Sequence, residues 1–308
     1  MIVSASRRTD IPKFHSQWFI DRVRAGSCTV PNPFNPRRVI KVSLQPEDVD
    51  VIVFWSKDPR PLMAHLHELD ARGFRYYFQF TVNGYPRLLE PNVPPLPELL
   101  DAFARLAEAV SPERVIWRYD PIVWSNLTDL AYHERRFLEI ATVLRGKTRR
   151  LVTSLVDDYA GARRRLASLS GYGIRFTPCT PEVPGVRRLL RIMVQVAADS
   201  GMEIVSCAEK YDLSPFGLRP GKCIDDTYVA RVFGIDVDAK KDPGQRLECG
   251  CVRSKDIGVY GTCHHGCLYC YATGRPRATG RTGGPPAKLE RTRSGRSTHP
   301  LYAWYNQT

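Results

Sequence analysis

Six short runs of Val, Ile and aromatic residues, each ending in charged or hydrogen-bonding groups, constrain the fold of this 308-residue chain most tightly. They fall at 2–5, 49–55, 76–82, 114–117, 151–156 and 203–207. Runs this short and this apolar are strands of a parallel sheet covered on both faces. Helical stripes separate them: Phe14, Trp18, Phe19 and Val23; Leu62, Leu66 and Leu69 before Gly73; Leu99, Phe103, Leu106 and Val110; Phe137, Ile140, Ala141 and Leu144; then Val186, Leu189, Leu190, Met193 and Val196 before Gly201. The stripes read as core-facing helix surfaces, with the glycines as C-caps. Strand–helix alternation makes an α/β fold with right-handed crossovers.

The residues after each strand favour one architecture. Ser6–Asp10, Ser56–Pro59, Asn83–Tyr85, Arg118–Pro121, Asp157–Tyr159 and Ala208–Lys210 all deliver polar groups at strand carboxyl ends. Barrel active sites are assembled at those ends, whereas a single-crevice open sheet needs fewer such groups. The expectation is a complete or partial parallel (β/α)6-type barrel over 1–210, with a cysteine-rich, cluster-binding segment at 211–272 packed on its mouth. A Pro-broken excursion at 171–184 has room for one short strand at 174–177. From 273 to 308 the chain is rich in Gly, Pro and Arg without apolar periodicity, the composition of a disordered basic tail.

Nine cysteines divide unevenly. Cys28 and Cys179 stand alone, while Cys207, Cys223, Cys249, Cys251, Cys263, Cys267 and Cys270 crowd into the last third. A chain this long, opening on MIVSASRRTDIP without an apolar signal core, points to a cytoplasmic protein, so clustered thiols read as metal ligands rather than disulfides. Cys263, Cys267 and Cys270 have the spacing C-x3-C-x2-C, and a tight loop of that kind brings three thiolates onto three irons of one [4Fe–4S] cubane. One iron is then left open for a substrate or cofactor. A zinc loop is the alternative, with His264 or His265, or the pair Cys249 and Cys251, completing the ligand set. Two adjacent histidines are otherwise solvated loop residues. Cys207, Cys223, Cys249 and Cys251 number what a second, fully ligated cluster needs; a zinc ion or unligated buried thiols remain alternatives.

The cysteine loop resembles the signature of the radical S-adenosylmethionine superfamily, whose open iron chelates the amino and carboxylate groups of the cofactor's methionine part. The segments 4–12 (SASRRTDIP), 54–59 (FWSKDP), 117–121 (WRYDP), 207–209 (CAE), 222–226 (KCIDD) and 245–260 resemble, more closely, an uncharacterised bacterial family named only as a domain of unknown function, whose C-terminal cysteines are radical-SAM-like. The likeness runs over about residues 1–272. It implies an iron–sulfur protein of unknown substrate and little else. The expected function is a radical SAM enzyme in which a 5′-deoxyadenosyl radical takes a hydrogen atom from that substrate, fed by a flavodoxin- or ferredoxin-like electron donor. The cysteines lie after the last strand rather than the first, and no Gly-Gly-Glu follows the second strand. A segment after the sixth strand can still fold back over the barrel mouth.

Arg7, Lys57, Arg118 and Asp120 at strand ends, with Tyr269 inside the loop, are the candidate contacts to S-adenosylmethionine. A guanidinium suits a carboxylate by paired hydrogen bonds, and Asp120 suits an amino group or ribose hydroxyls. Glu209 is the candidate acid beside the metal, Gln79 and Asn83 lesser candidates. No nucleophile triad or phosphate-cradling glycine loop stands out.

Net charge is +13, of which residues 271–308 supply +6. That basicity raises nucleic-acid binding as a different class of function, a zinc-stapled module with a basic tail. Its Arg residues lack interleaved aromatics before Tyr302, and no nucleic-acid motif accompanies them, so this support is weak. An iron–sulfur electron-transfer or sensor protein without radical chemistry is a further alternative. No run approaches the ~18 apolar residues of a membrane span.

Overall fold

The computed structural model describes residues 1–32, 35 and 38–273. The tail expected from 273 onward therefore lies, apart from Thr273, outside the described residues. Ten strands form: β1 (Ile2–Ala5), β2 (Ser27–Pro31), β3 (Val39–Ser43), β4 (Val51–Ser56), β5 (Tyr76–Thr81), β6 (Val115–Ile122), β7 (Arg150–Leu155), β8 (Glu203–Cys207), β9 (Arg219–Gly221) and β10 (Lys255–Asp256). Eight of them make one parallel sheet in the order β10-β1-β4-β5-β6-β7-β8-β9. All six expected strands are present in chain order at its centre. The antiparallel β2–β3 hairpin and the edge strands β9 and β10 are additions. Their residues are too few or too polar for an apolar-run rule to find. Within 171–184, Phe176 makes a single bridge to Ser125 rather than a strand.

Side-chain alternation sorts the sheet into two faces. Val3, Ile52, Phe54, Phe78, Phe80, Trp117 and Leu151 pack against the crossover helices in one core. Those helices include Ser16–Arg24, Leu96–Val110, Leu130–Leu144 and Pro184–Asp199, which bury most of the apolar stripes, with Phe14, Trp18 and Val196 only half-buried and Ile20 and Ala197 buried beside them. Gly73 and Gly201, at φ +79° and +70°, end two of the turns where a left-handed residue is needed. Ile2, Val51, Val53, Tyr77, Ile116, Val152 and Val205 point the other way and meet Cys223, Ile224, Tyr228, Val229, Cys249, Cys251 and Val252. The segment after β8 thus fills the inner face and also supplies both edge strands. Among the described residues no ladder joins β9 to β10, and no helix is long and apolar enough to cross a membrane.

β6 is longer than expected. Arg118 and Asp120, expected in the loop after the strand, lie on it, alternating with buried Trp117 and Tyr119. Polar residues can occupy an interior strand when they face a polar site rather than the apolar core.

Candidate functional site

The C-x3-C-x2-C loop sits where β1, β4 and β5 end. Leu268 N donates to Leu89 O at 3.0 Å, and Asn92 holds the loop twice, its backbone N on His265 O at 3.2 Å and Nδ2 on His264 O at 2.8 Å. Thr262 Oγ1 lies 2.9 Å from Thr9 Oγ1. On the β7 side, Arg165 donates to the carbonyls of Leu268, Cys270 and Thr273. Several of the loop's carbonyls are thereby engaged, and among its thiols Cys270 Sγ accepts from Ala272 N at 3.3 Å.

Cys267 is buried and Cys263 and Cys270 are partly exposed. Burial, with Asp10 adding, pushes the Cys263 thiol up to about 12 and the Cys267 thiol well above its usual range. Lys57 faces Cys267 and Cys270 while its ammonium pairs with Glu90 at 2.8 Å. Burial opposes its charge, but Glu90 and the thiols outweigh that and raise its pKa. Tyr269 is buried, donates to Glu90, accepts from Asn83 Nδ2 at 3.1 Å and lies under the Lys57 ammonium. His265 corrects the expectation of two solvated histidines. It is 1% exposed and holds Asp10 Oδ2 through Nε2 at 2.9 Å, while His264 is exposed. Asp10 also accepts from Ser56 Oγ and Lys57 N, both at 2.8 Å, so one carboxylate fastens the loop to β4.

The other four cysteines meet on the inner face. Cys207 and Cys223 stand Sγ to Sγ at 2.9 Å, and Cys223, Cys249 and Cys251 are buried in the one apolar cluster against which Cys207 packs. Arg118 Nη1 donates to Cys223 Sγ at 2.9 Å, and Ile224 N points at Cys251 Sγ at 3.4 Å. Hydrogen bonds from Cys223 and Cys249, then the Arg7 charge, hold the Cys251 thiol far below its usual range. No three or more Cys, His, Asp or Glu side chains among the described residues stand ready-made as a metal-binding group.

The candidate cofactor contacts therefore split between two neighbourhoods. Lys57 and Tyr269 belong to the cysteine loop. Arg7, Arg118 and Asp120 surround the four-thiol set, with Asp120 taking Arg118 Nη2 at 2.7 Å and a hydrogen bond from Ser154. Gln79 accepts from Arg118 at 3.1 Å and Asn83 belongs with Tyr269. Glu209 accepts from Leu155 N at 2.6 Å, and burial pushes its pKa up to about 7. Sequence reasoning missed Glu90, Asn92 and Arg165. Each is an ordinary loop or helix residue whose role depends on where the distant loop lands.

A family model matches residues 2–272. The chain belongs to the domain of unknown function DUF1848. No curated protein matches it. Among solved structures, this DUF1848 domain is similar to a dihydropyrimidinase from Brevibacillus agri NCHU1002, at 9% identity and TM-score 0.27, over 53% of this chain and 35% of that one. A D-hydantoinase from Bacillus sp. AR9 matches at 12% identity and TM-score 0.27, again over 53% and 35%. The DUF1848 chain thus spans about a third of the length of these two proteins, and overlaps this weak carry no argument about its function.

Proposed function

We propose that this chain is an iron–sulfur enzyme of the radical S-adenosylmethionine type, acting on a substrate held at the mouth of a partial parallel barrel. The observation that carries the reading is the seat of the cysteine loop. Three thiols at cubane spacing lie at strand carboxyl ends, with the carbonyls of His264, His265, Leu268 and Cys270 held by Asn92 and Arg165 and the Lys57 ammonium facing two of the thiols. That donor set fits a cluster with three protein ligands: soft sulfur, short spacing and an adjacent cation.

When bound there, the cluster and S-adenosylmethionine supply reductive cleavage of the sulfonium and hydrogen-atom abstraction. Cys263, Cys267 and Cys270 are the ligands. Lys57 places positive charge beside the thiolates, which favours the more reduced, more negative state of whatever they hold. Tyr269 and His265 fill the space under the loop and exclude water. Arg165 and Asn92 fix the loop backbone that carries the three thiols.

Anaerobic purification with iron, sulfide and zinc analysis tests the proposal, followed by incubation with S-adenosylmethionine and a strong reductant. Iron at about four or more per chain, with release of methionine and 5′-deoxyadenosine, is expected. Replacing all three loop cysteines by Ala should abolish that release. Zinc without iron, or cleavage that survives the triple replacement, overturns the reading.

A further inference from the structure

The four thiols of Cys207, Cys223, Cys249 and Cys251 are not used by the proposed chemistry of the loop. They come from three separate places: the end of β8, the turn after β9 and the C-x-C step before β10. They gather in one buried cluster on the inner face, where Cys207 and Cys223 touch Sγ to Sγ at 2.9 Å. Buried free thiols alone behave as small hydrophobes and call for no charged neighbours.

Here the neighbours are charged. Arg118 is 5% exposed and aims Nη1 at Cys223 Sγ, and the Arg7 guanidinium faces Cys251 and Cys223. The two guanidiniums lie over the same indole, their Cζ atoms 5.6 Å and 5.1 Å from the Trp55 ring centroid for Arg7 and Arg118. Asp120 balances Arg118 at 2.7 Å, while Arg7 donates to Ser254 Oγ at 3.3 Å, lies 3.9 Å from Asp242 and feels the Asp256 charge. Buried cations this close to sulfur are costly beside neutral thiols and favourable beside thiolates.

We propose that Cys207, Cys223, Cys249 and Cys251 hold a second, tetrathiolate metal centre, independent of the cysteine loop and charge-compensated by Arg7 and Arg118. Four thiolates around a divalent ion, or around an oxidised [4Fe–4S] core, carry a net charge of minus two. With Asp120 balancing Arg118, the two guanidiniums offset half of it. Loading replaces the thiol–thiol hydrogen bonds by metal–sulfur bonds. Sulfurs bound at ~2.3 Å to a tetrahedral ion lie about 3.8 Å apart, so the Cys207 and Cys223 sulfurs separate by roughly 1 Å, within side-chain reach. Arg118 and the Ile224 amide then donate to sulfur, the outer-shell contacts that orient ligands and tune a centre.

The test uses the full-length chain carrying Cys263→Ala, Cys267→Ala and Cys270→Ala, purified anaerobically and analysed for zinc, iron and sulfide. About one zinc, or about four irons with matching sulfide, should remain per chain, and which of the two remains identifies the metal. Adding Cys223→Ala and Cys251→Ala should remove it. If those variants do not fold, native thiol titration of the triad-free chain, before and after chelation, must show four thiols becoming reactive only after metal release. A triad-free chain without metal, metal that survives loss of Cys223 and Cys251, or no rise in thiol reactivity on chelation overturns the proposal. Failure of the radical reading leaves these metal counts untouched, so the two outcomes are distinguishable.

Discussion

At the scale of single residues, Lys57 and Glu90 are the most exposed to test. Glu90 is buried and the Lys57 side chain is 13% exposed, and each is the other's charge partner at 2.8 Å. Breaking a buried pair costs more than removing it, because the surviving charge is stranded. Lys57→Met should destabilise the protein by about 3 kcal/mol, and Lys57→Met with Glu90→Gln by clearly less. Urea midpoints of the two variants check this. Equal losses would mean that Glu90 is satisfied without Lys57, through Tyr269 and Asn83. Glu90 does not stand out in the sequence, and His265 does so only as an alternative zinc ligand. Glu90 sits in the ordinary-looking stretch 86–93, and His265 becomes a fastener only because Asp10, some 250 positions earlier, arrives beside it.

At the scale of elements, the helix Asp226–Phe233 roofs the inner face, and one residue both starts it and anchors it. Asp225 caps it through the amides of Thr227 and Tyr228, at 3.0 and 3.2 Å, and accepts from Arg150 at 2.6 Å. The Arg150 guanidinium in turn lies 4.2 Å from the Tyr228 ring centroid. Asp225→Asn should keep the cap and lose the ion pair. Asp225→Ala should lose both, exceeding the Asn variant by about 1 kcal/mol, the usual worth of a cap. Thermal melts of the two variants decide it, and equal effects would assign the whole contribution to Arg150. Much of this level was legible in the chain: the central strands, the stripes and the glycine caps follow from periodicity. What escaped was set by pairing at a distance. β10 is two polar residues that become a strand only against β1, and β6 runs on through Arg118 and Asp120 because its inner face serves the thiols rather than the core.

At the scale of the whole molecule, Asp256 closes the chain on itself. Its carboxylate accepts from the hydroxyls of Ser4 at 2.9 Å and Ser6 at 2.7 Å, from Arg7 N at 2.8 Å and from Gly258 N at 3.0 Å. Each is a charge-assisted bond, and several lose their partner together if the carboxylate goes. Asp256→Ala should cost about 4 kcal/mol and raise amide exchange along β1 first, as hydrogen-exchange measurements would show. Loss of protection confined to residues around 256 would show that β1 is held by β4 alone.

The filling of the inner face by residues beyond 220 has a consequence for the order of synthesis. A ribosome delivers β1 to β8 and all the crossover helices before Ile224, Tyr228 and Val252 exist to cover Ile2, Val53, Tyr77 and Val152. For the last part of translation the nascent chain carries a finished wall with one greasy side bare and one edge of β1 unpaired. Such surfaces and edges are where chains stick to one another. Cys263, Cys267 and Cys270 follow that interval, so their sulfurs come together only in a molecule that has already passed its most aggregation-prone moment, whereas Cys249 and Cys251 arrive with the segment that closes it.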